Sequence, residues 1–176
     1  MIKFIKSKNS RFLVLGLILT IIFYMINKKF FYTALFTVIG SYLKYQRAKF
    51  RLPISAEPVF FFGILLTRIF GIQYCLVLLI TAVFGVDLLV GDITMNTIIS
   101  FLVQLFLNIA ALLFLSQNIL IFGFIVSIIN MVVSIVLAGF WGVPPDRMIL
   151  MPATGFLINI AYFVTLSESM EVLMLK

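Results

Sequence analysis

The sequence predicts an all-α fold, a polytopic bundle of six or seven transmembrane helices that forms a single integral membrane domain over residues 1–176. Hydrophobic residues make up 64% of the chain and charged residues only 11%. Soluble domains are roughly 45 to 50% apolar and about 25% charged. Apolar runs recur from Phe12 almost to the C-terminus, so no stretch is left for a second, aqueous domain. A lipid bilayer is therefore needed to cover this surface.

The apolar runs are hydrophobic on all sides, whereas the strands of a membrane barrel alternate apolar and polar residues. In lipid the backbone must satisfy its own hydrogen bonds, which favours helices. The predicted segments are residues 12–26, 30–43, 58–70, 72–90, 97–115, 119–138 and 148–166.

Residues 58–90 form the longest apolar region, and their division decides the helix count. A single helix over 58–86 is about 43 Å long, well beyond the roughly 30 Å hydrocarbon core, and it buries Arg68. A break near Gly71 removes both difficulties and gives seven helices instead of six.

The first two segments are shorter than the roughly 20 residues that cross a bilayer. Lysines at their ends can extend their reach by snorkelling. A helical hairpin with a turn at residues 27–29 follows, since a continuous helix leaves Lys28 and Lys29 at mid-membrane. Residues 44–57 then form a polar, basic connector in which Pro53 disfavours helix.

The formal charge is +7, and the basic residues cluster beside the first two segments. Such clusters set topology, so we expect a cell-membrane protein with a cytoplasmic N-terminus and a cytoplasmic 44–51 loop. The C-terminal tail is then outside with seven helices and inside with six. Juxtamembrane basic residues bind anionic headgroups rather than nucleic acid. The predicted headgroup contacts are Lys44, Arg47, Lys49 and Arg51.

Few catalytic chemistries are open to this chain. It contains no histidine and a single cysteine, Cys75, so Ser-His and Cys-His pairs and imidazole metal sites are excluded. Gly91-Asp92 is similar to part of the Gly-x-Gly-Asp motif of intramembrane aspartyl proteases, but position 89 is Leu and no second aspartate stands in a separate apolar segment. We expect a non-enzymatic protein with no metal and no cofactor.

The last three segments each carry a polar or small-residue stripe at steps of three or four, which places each stripe on one helical face. The stripes consist of Thr97, Ser100, Gln104, Asn108 and Ala111, then Gly123, Ser127, Asn130, Ser134 and Ala138, and finally Gly155, Asn159 and Tyr162. One interpretation is adhesion between helices through small residues and amides. The other is a cavity for a small polar ligand, with Gln104, Asn108, Asn130 and Asn159 as donors and acceptors.

Asp87 and Asp92 end the fourth segment. Their spacing of five turns about 140° around a helix, so they make a poor carboxylate pair. They either mark the membrane boundary, with Asp92 capping the next helix near Thr94, or Asp87 is buried and coupled to a cation, a proton or Arg68. Arg68 is itself a candidate ligand or a snorkelling interface residue.

The region from Gly71 onward, with Asp-Leu-Leu-Val-Gly-Asp closing the fourth segment and Asn130 and Asn159 in late helices, resembles two families. They are the S components of energy-coupling-factor transporters and the MreD-type membrane proteins. The first resemblance implies a bound solute and a partner subunit, although the first segment lacks the Ala-x-x-x-Ala docking motif. The second implies a non-catalytic scaffold that recruits partners through the basic 44–51 loop. A small-solute binding or transport subunit and a scaffold are therefore the two functional hypotheses.

Overall fold

The computed structural model describes residues 27–50, 52, 55, 58–91 and 93–175, apart from the side chains of residues 146 and 147. These ranges form six helices: α1 (Lys28–Phe50), α2 (Val59–Phe70), α3 (Ile72–Val90), α4 (Met95–Leu113), α5 (Ile119–Phe140) and α6 (Pro145–Leu175). The predicted first segment, residues 12–26, lies outside the described residues.

Four helices are long and apolar enough to cross a membrane, namely α3, α4, α5 and the Met148–Leu175 part of α6. The chain is therefore a helical membrane protein. α2 has only 12 residues, about 18 Å at 1.5 Å per residue, which is little more than half of a hydrocarbon core.

The predicted break at Gly71 is confirmed. Gly71 has a φ of 105°, in the region that favours glycine, and its N–H donates to the carbonyls of Leu66 and Thr67 at the end of α2. The chain reverses there, and α3 packs back against α2.

α2 is the central helix of the bundle. Every residue from Val59 to Thr67 is buried, as expected of a helix that is apolar on all sides. Phe62 stacks on Phe36 of α1 with ring centroids 4.1 Å apart, and Phe61 meets Phe163 of α6 edge-on at 5.0 Å. These contacts attach α1 and α6 to a shared core.

α5 and α6 form the most extensive helix pair. A Cβ atom at Gly123 would lie 2.3 Å from Cδ1 of Phe163, so the phenyl ring occupies the space that a larger residue would fill. Small residues allow membrane helices to approach closely in this way.

Two predicted boundaries were wrong. α1 continues to Phe50, so the first part of the expected 44–57 connector is helical. α6 continues to Leu175 instead of ending near 166. Its buried face extends with it, because Ser167 and Met174 remain buried at 1% and 2% exposure.

The connections place alternate helix termini at the same end of the bundle. α1, α3 and α5 end where α2, α4 and α6 begin, and we call this the cavity end. At the opposite end, the hydroxyl of Tyr32 in α1 donates to the carbonyl of Leu173 in α6 at 3.2 Å. The end of α6 thus lies beside the start of α1, away from the cavity end.

Candidate functional site

A cavity of about 870 Å³ opens among the helices at the cavity end. The polar faces of α4, α5 and α6 converge on it. Its wall includes the amide-bearing residues Gln104, Asn130 and Asn159, and also Ser100, Ser134 and Gly155 from the same three stripes. Three of the four amides named from the sequence are thereby brought together.

Two of these amides have unused acceptors. Only three buried side-chain polar atoms of the described residues lack a hydrogen-bond partner, and two of them are Gln104 Oε1 and Asn159 Oδ1. Asn159 is only 5% exposed. Gln104 uses its other amide atom, since Nε2 donates to Ser100 Oγ at 2.9 Å. Buried polar groups are nearly always paired in folded proteins, so two unpaired oxygens in one cavity wall require an explanation.

A buried ion pair forms another part of the wall. Lys44 Nζ lies 2.8 Å from Asp87 Oδ1, and the two side chains are only 7% and 13% exposed. Lys44 Nζ also donates to the carbonyl of Val83 at 2.6 Å. On the other side, the Thr97 hydroxyl donates to Asp87 Oδ2 at 2.6 Å. Both carboxylate oxygens are therefore engaged, and α1, α3 and α4 are joined through Asp87.

The local backbone explains this geometry. Residues Ile80–Gly85 of α3 form a π-helical turn that contains Val83. Such turns alter the carbonyl pairing of a helix and occur often at functional sites. Thr94 begins α4 with a capping box in which its N–H donates to Thr97 Oγ1 at 3.3 Å. The Thr97 hydroxyl is thus oriented both to cap α4 and to bond Asp87.

The structure decides what Asp87 is coupled to. Its partner is Lys44, and Arg68 lies at the opposite end of the bundle. There Arg68 donates to the carbonyls of Phe114 at 3.4 Å, Leu115 at 3.0 Å and Gln117 at 2.6 Å. Its guanidinium also lies 5.2 Å from the ring centroid of Phe122. These contacts satisfy carbonyls at the C-terminal end of α4, so Arg68 does not belong to the cavity. Asp92, the other predicted acidic residue, is outside the described residues.

Asn108 holds helices together instead of lining the cavity. It is fully buried, accepts a hydrogen bond from the Thr67 hydroxyl at 2.9 Å, and donates to the Gln104 carbonyl at 2.7 Å. Gly63 of α2 makes room for it, since a Cβ there would lie 3.2 Å from Asn108 Nδ2. Asn108 therefore matches the adhesion interpretation, because its Oδ1 accepts a hydrogen bond that joins α4 to α2.

The four predicted headgroup contacts do not share one environment. Lys44 is 5% exposed and paired with Asp87, so its assignment to the headgroup layer is corrected. Arg47 is half-buried in the cavity wall and donates to Ser55 Oγ at 3.4 Å. Lys49 is exposed, and Arg51 lies outside the described residues.

The sequence contained a signal for the burial of Lys44 that was missed. The buried residues of α1 include Thr33, Phe36, Gly40 and Lys44, at steps of three or four. Lys44 thus continues a buried helical face. Reading the basic residues as one cluster hid this pattern.

The cavity wall offers hydrogen bonding and charge more readily than metal chemistry. Among the described residues no group of three or more Asp, Glu, Cys or His side chains could hold a metal ion. Cys75 is fully buried and does not line the cavity. No known protein family, curated protein or solved structure matches this chain.

Proposed function

We propose that this protein binds a small polar solute in the cavity, as the binding or transport subunit of a cell-membrane system. The observation that carries the proposal is the pair of unpartnered amide oxygens, on Gln104 and Asn159, in the wall of one cavity. An occupant that donates hydrogen bonds would satisfy both.

The size of the cavity supports this use. At about 870 Å³ it falls within the roughly 300 to 1,000 Å³ range of small-molecule sites. Such sites join apolar walls to a few placed polar groups, and here Val59, Phe60 and Ile99 line the same space as the amides.

Adhesion between helices accounts for Asn108 but poorly for the other two amides. A buried group left unpaired costs about 1 to 3 kcal/mol. Gln104 and Asn159 carry that cost in the described structure. A solute that binds there would recover it.

Charge distribution supports a cytoplasmic opening. Arg47 and Lys49 lie at the cavity end. The start of α1 lies at the opposite end, and one predicted membrane segment, residues 12–26, separates it from the basic N-terminus. By the positive-inside rule the cavity end faces the cytoplasm. The scaffold alternative has less support, because Lys44, one of its four predicted partner contacts, is buried.

Mass spectrometry of the intact, detergent-purified protein tests the proposal. Ser134→Phe fills the cavity from α5, whereas Val136→Phe places the same ring on an outward face of that helix, where Val136 is 50% exposed. We expect the wild type and Val136→Phe to carry a noncovalently bound small molecule that Ser134→Phe lacks.

Circular dichroism and size-exclusion chromatography would show that both variants remain folded. If the wild type carries no small molecule, or if folded Ser134→Phe carries as much of it as Val136→Phe, the proposal is wrong.

A further inference from the structure

We infer that the solute is uncharged and carries at least two hydrogen-bond donors, hydroxyl or N–H groups, which bind Gln104 and Asn159. This inference rests on the proposed function and specifies its ligand.

Among the described residues of this wall, the two buried side-chain atoms that have no hydrogen-bond partner are both acceptors. Gln104 Oε1 comes from α4 and Asn159 Oδ1 from α6. Gln104 Nε2 is already engaged with Ser100, so Oε1 is the atom of this side chain that is left for an occupant. A ligand that donates a hydrogen bond to each oxygen would bridge the two helices and satisfy both acceptors. A carboxylate or phosphate at this place would instead bring its lone pairs against theirs.

The carboxylate of Asp87, the acidic group among the described residues of the wall, is already neutralised. Lys44 and Asp87 neutralise each other at 2.8 Å, and the second oxygen of Asp87 accepts from Thr97. An ammonium ligand beside this carboxylate would therefore be a second cation on a charge that Lys44 already neutralises. A buried cation without a counter-charge is strongly disfavoured, and the two acceptor oxygens disfavour an anion, so an uncharged ligand fits these amides best.

Arg47 is consistent with this selection. It lines the cavity three residues beyond Lys44, toward the end of α1. Its charge is positive, so it offers no counter-charge to a cationic ligand. Gln104 and Asn159 lie in the middle of their helices. We assign the recognition of donor groups to these amides and only a secondary role to Arg47.

The test exposes immobilised full-length protein, stripped of bound molecules by extensive washing, to a protein-free polar extract of cells. Retained compounds are released and identified by mass spectrometry. The variants are Gln104→Leu and Asn159→Leu. Gln73→Leu, an exposed amide at the opposite end of the bundle, is the matched control.

We expect the wild type and Gln73→Leu to retain a compound that is uncharged at pH 7 and has two or more donors. Each cavity variant should lower retention about tenfold, as expected for the loss of one hydrogen bond from a buried acceptor.

The outcomes separate the two claims. A retained compound that is anionic or cationic, and that depends on the cavity residues, overturns the inference about ligand class but leaves the proposed function standing. If the wild type retains no compound above the filled-cavity variant Ser134→Phe, the inference and the proposed function fail together. Retention that survives both Leu substitutions but is lost in Ser134→Phe removes the role given to the two amides.

Discussion

Lys44 and Asp87 are 43 residues apart in sequence, yet their charged atoms lie 2.8 Å apart in the cavity wall. The pair joins the C-terminal part of α1 to α3 at a π-helical turn. Removing one partner of a buried pair leaves an uncompensated charge, which costs about 3 to 5 kcal/mol.

We therefore expect Asp87→Asn and Lys44→Met each to destabilise the protein strongly, and the double variant to be less destabilised than the sum of the two. Thermal unfolding in detergent for all four proteins gives this coupling. Strictly additive effects would show that the two side chains do not stabilise each other.

The stability of the protein should respond differently to the same substitution at Asn108 and at Asn159. Asn108→Leu deprives the Thr67 hydroxyl of its acceptor and should cost about 1 to 3 kcal/mol. Asn159→Leu removes an unpartnered oxygen and should leave the stability of the empty protein unchanged or higher. Denaturation of the ligand-free variants measures both. Equal destabilisation would contradict the distinction between an adhesive amide and a binding amide.

Gly123 should tolerate no side chain. Gly123→Ala places a Cβ against Phe163, which should lower stability by about 1 to 3 kcal/mol through overpacking. Gly139→Ala on the same helix is the control, since its Cβ would meet only the flexible Met148 side chain, at 3.4 Å from Sδ. Thermal unfolding of both variants should rank Gly123→Ala well below Gly139→Ala. The reverse order would mean that α5 and α6 do not pack at Gly123.

Arg68 should matter for structure at the opposite end and not for binding. Arg68→Leu leaves the three carbonyls at the end of α4 without their charged donor, and hydrogen bonds to charged groups contribute about 1.5 to 3 kcal/mol. Hydrogen exchange should increase near residues 114–117, while retention of the bound molecule stays at the wild-type level. Loss of binding in a folded Arg68→Leu variant would return Arg68 to the candidate ligand contacts.

Much of the fold follows from the sequence, because apolar length and a single glycine are strong local signals. The break at Gly71 and the helices around it needed only the length of the run and the cost of burying Arg68. The ends of α1 and α6 could not be predicted in this way. Both extensions coincide with tertiary contacts, the pairing of Lys44 with Asp87 and the burial of Met174.

Part of the candidate site was also predictable from local sequence signals. Helical spacing placed the amides on one face of each helix and so anticipated that Gln104, Asn130 and Asn159 meet. It could not separate Asn108, whose role depends on Thr67, a residue of another helix. Nor could it choose among a cation, a proton and Arg68 as the partner of Asp87, because only the packing of α1 against α3 brings Lys44 close.

An experimental density map of the purified wild-type protein, at a resolution that reveals bound molecules, tests the central claim most directly. We expect an occupant larger than water between α4 and α6, within hydrogen-bond distance of the Gln104 and Asn159 amides. A closed interface in which these amides bond to each other or to neighbouring helices would contradict it.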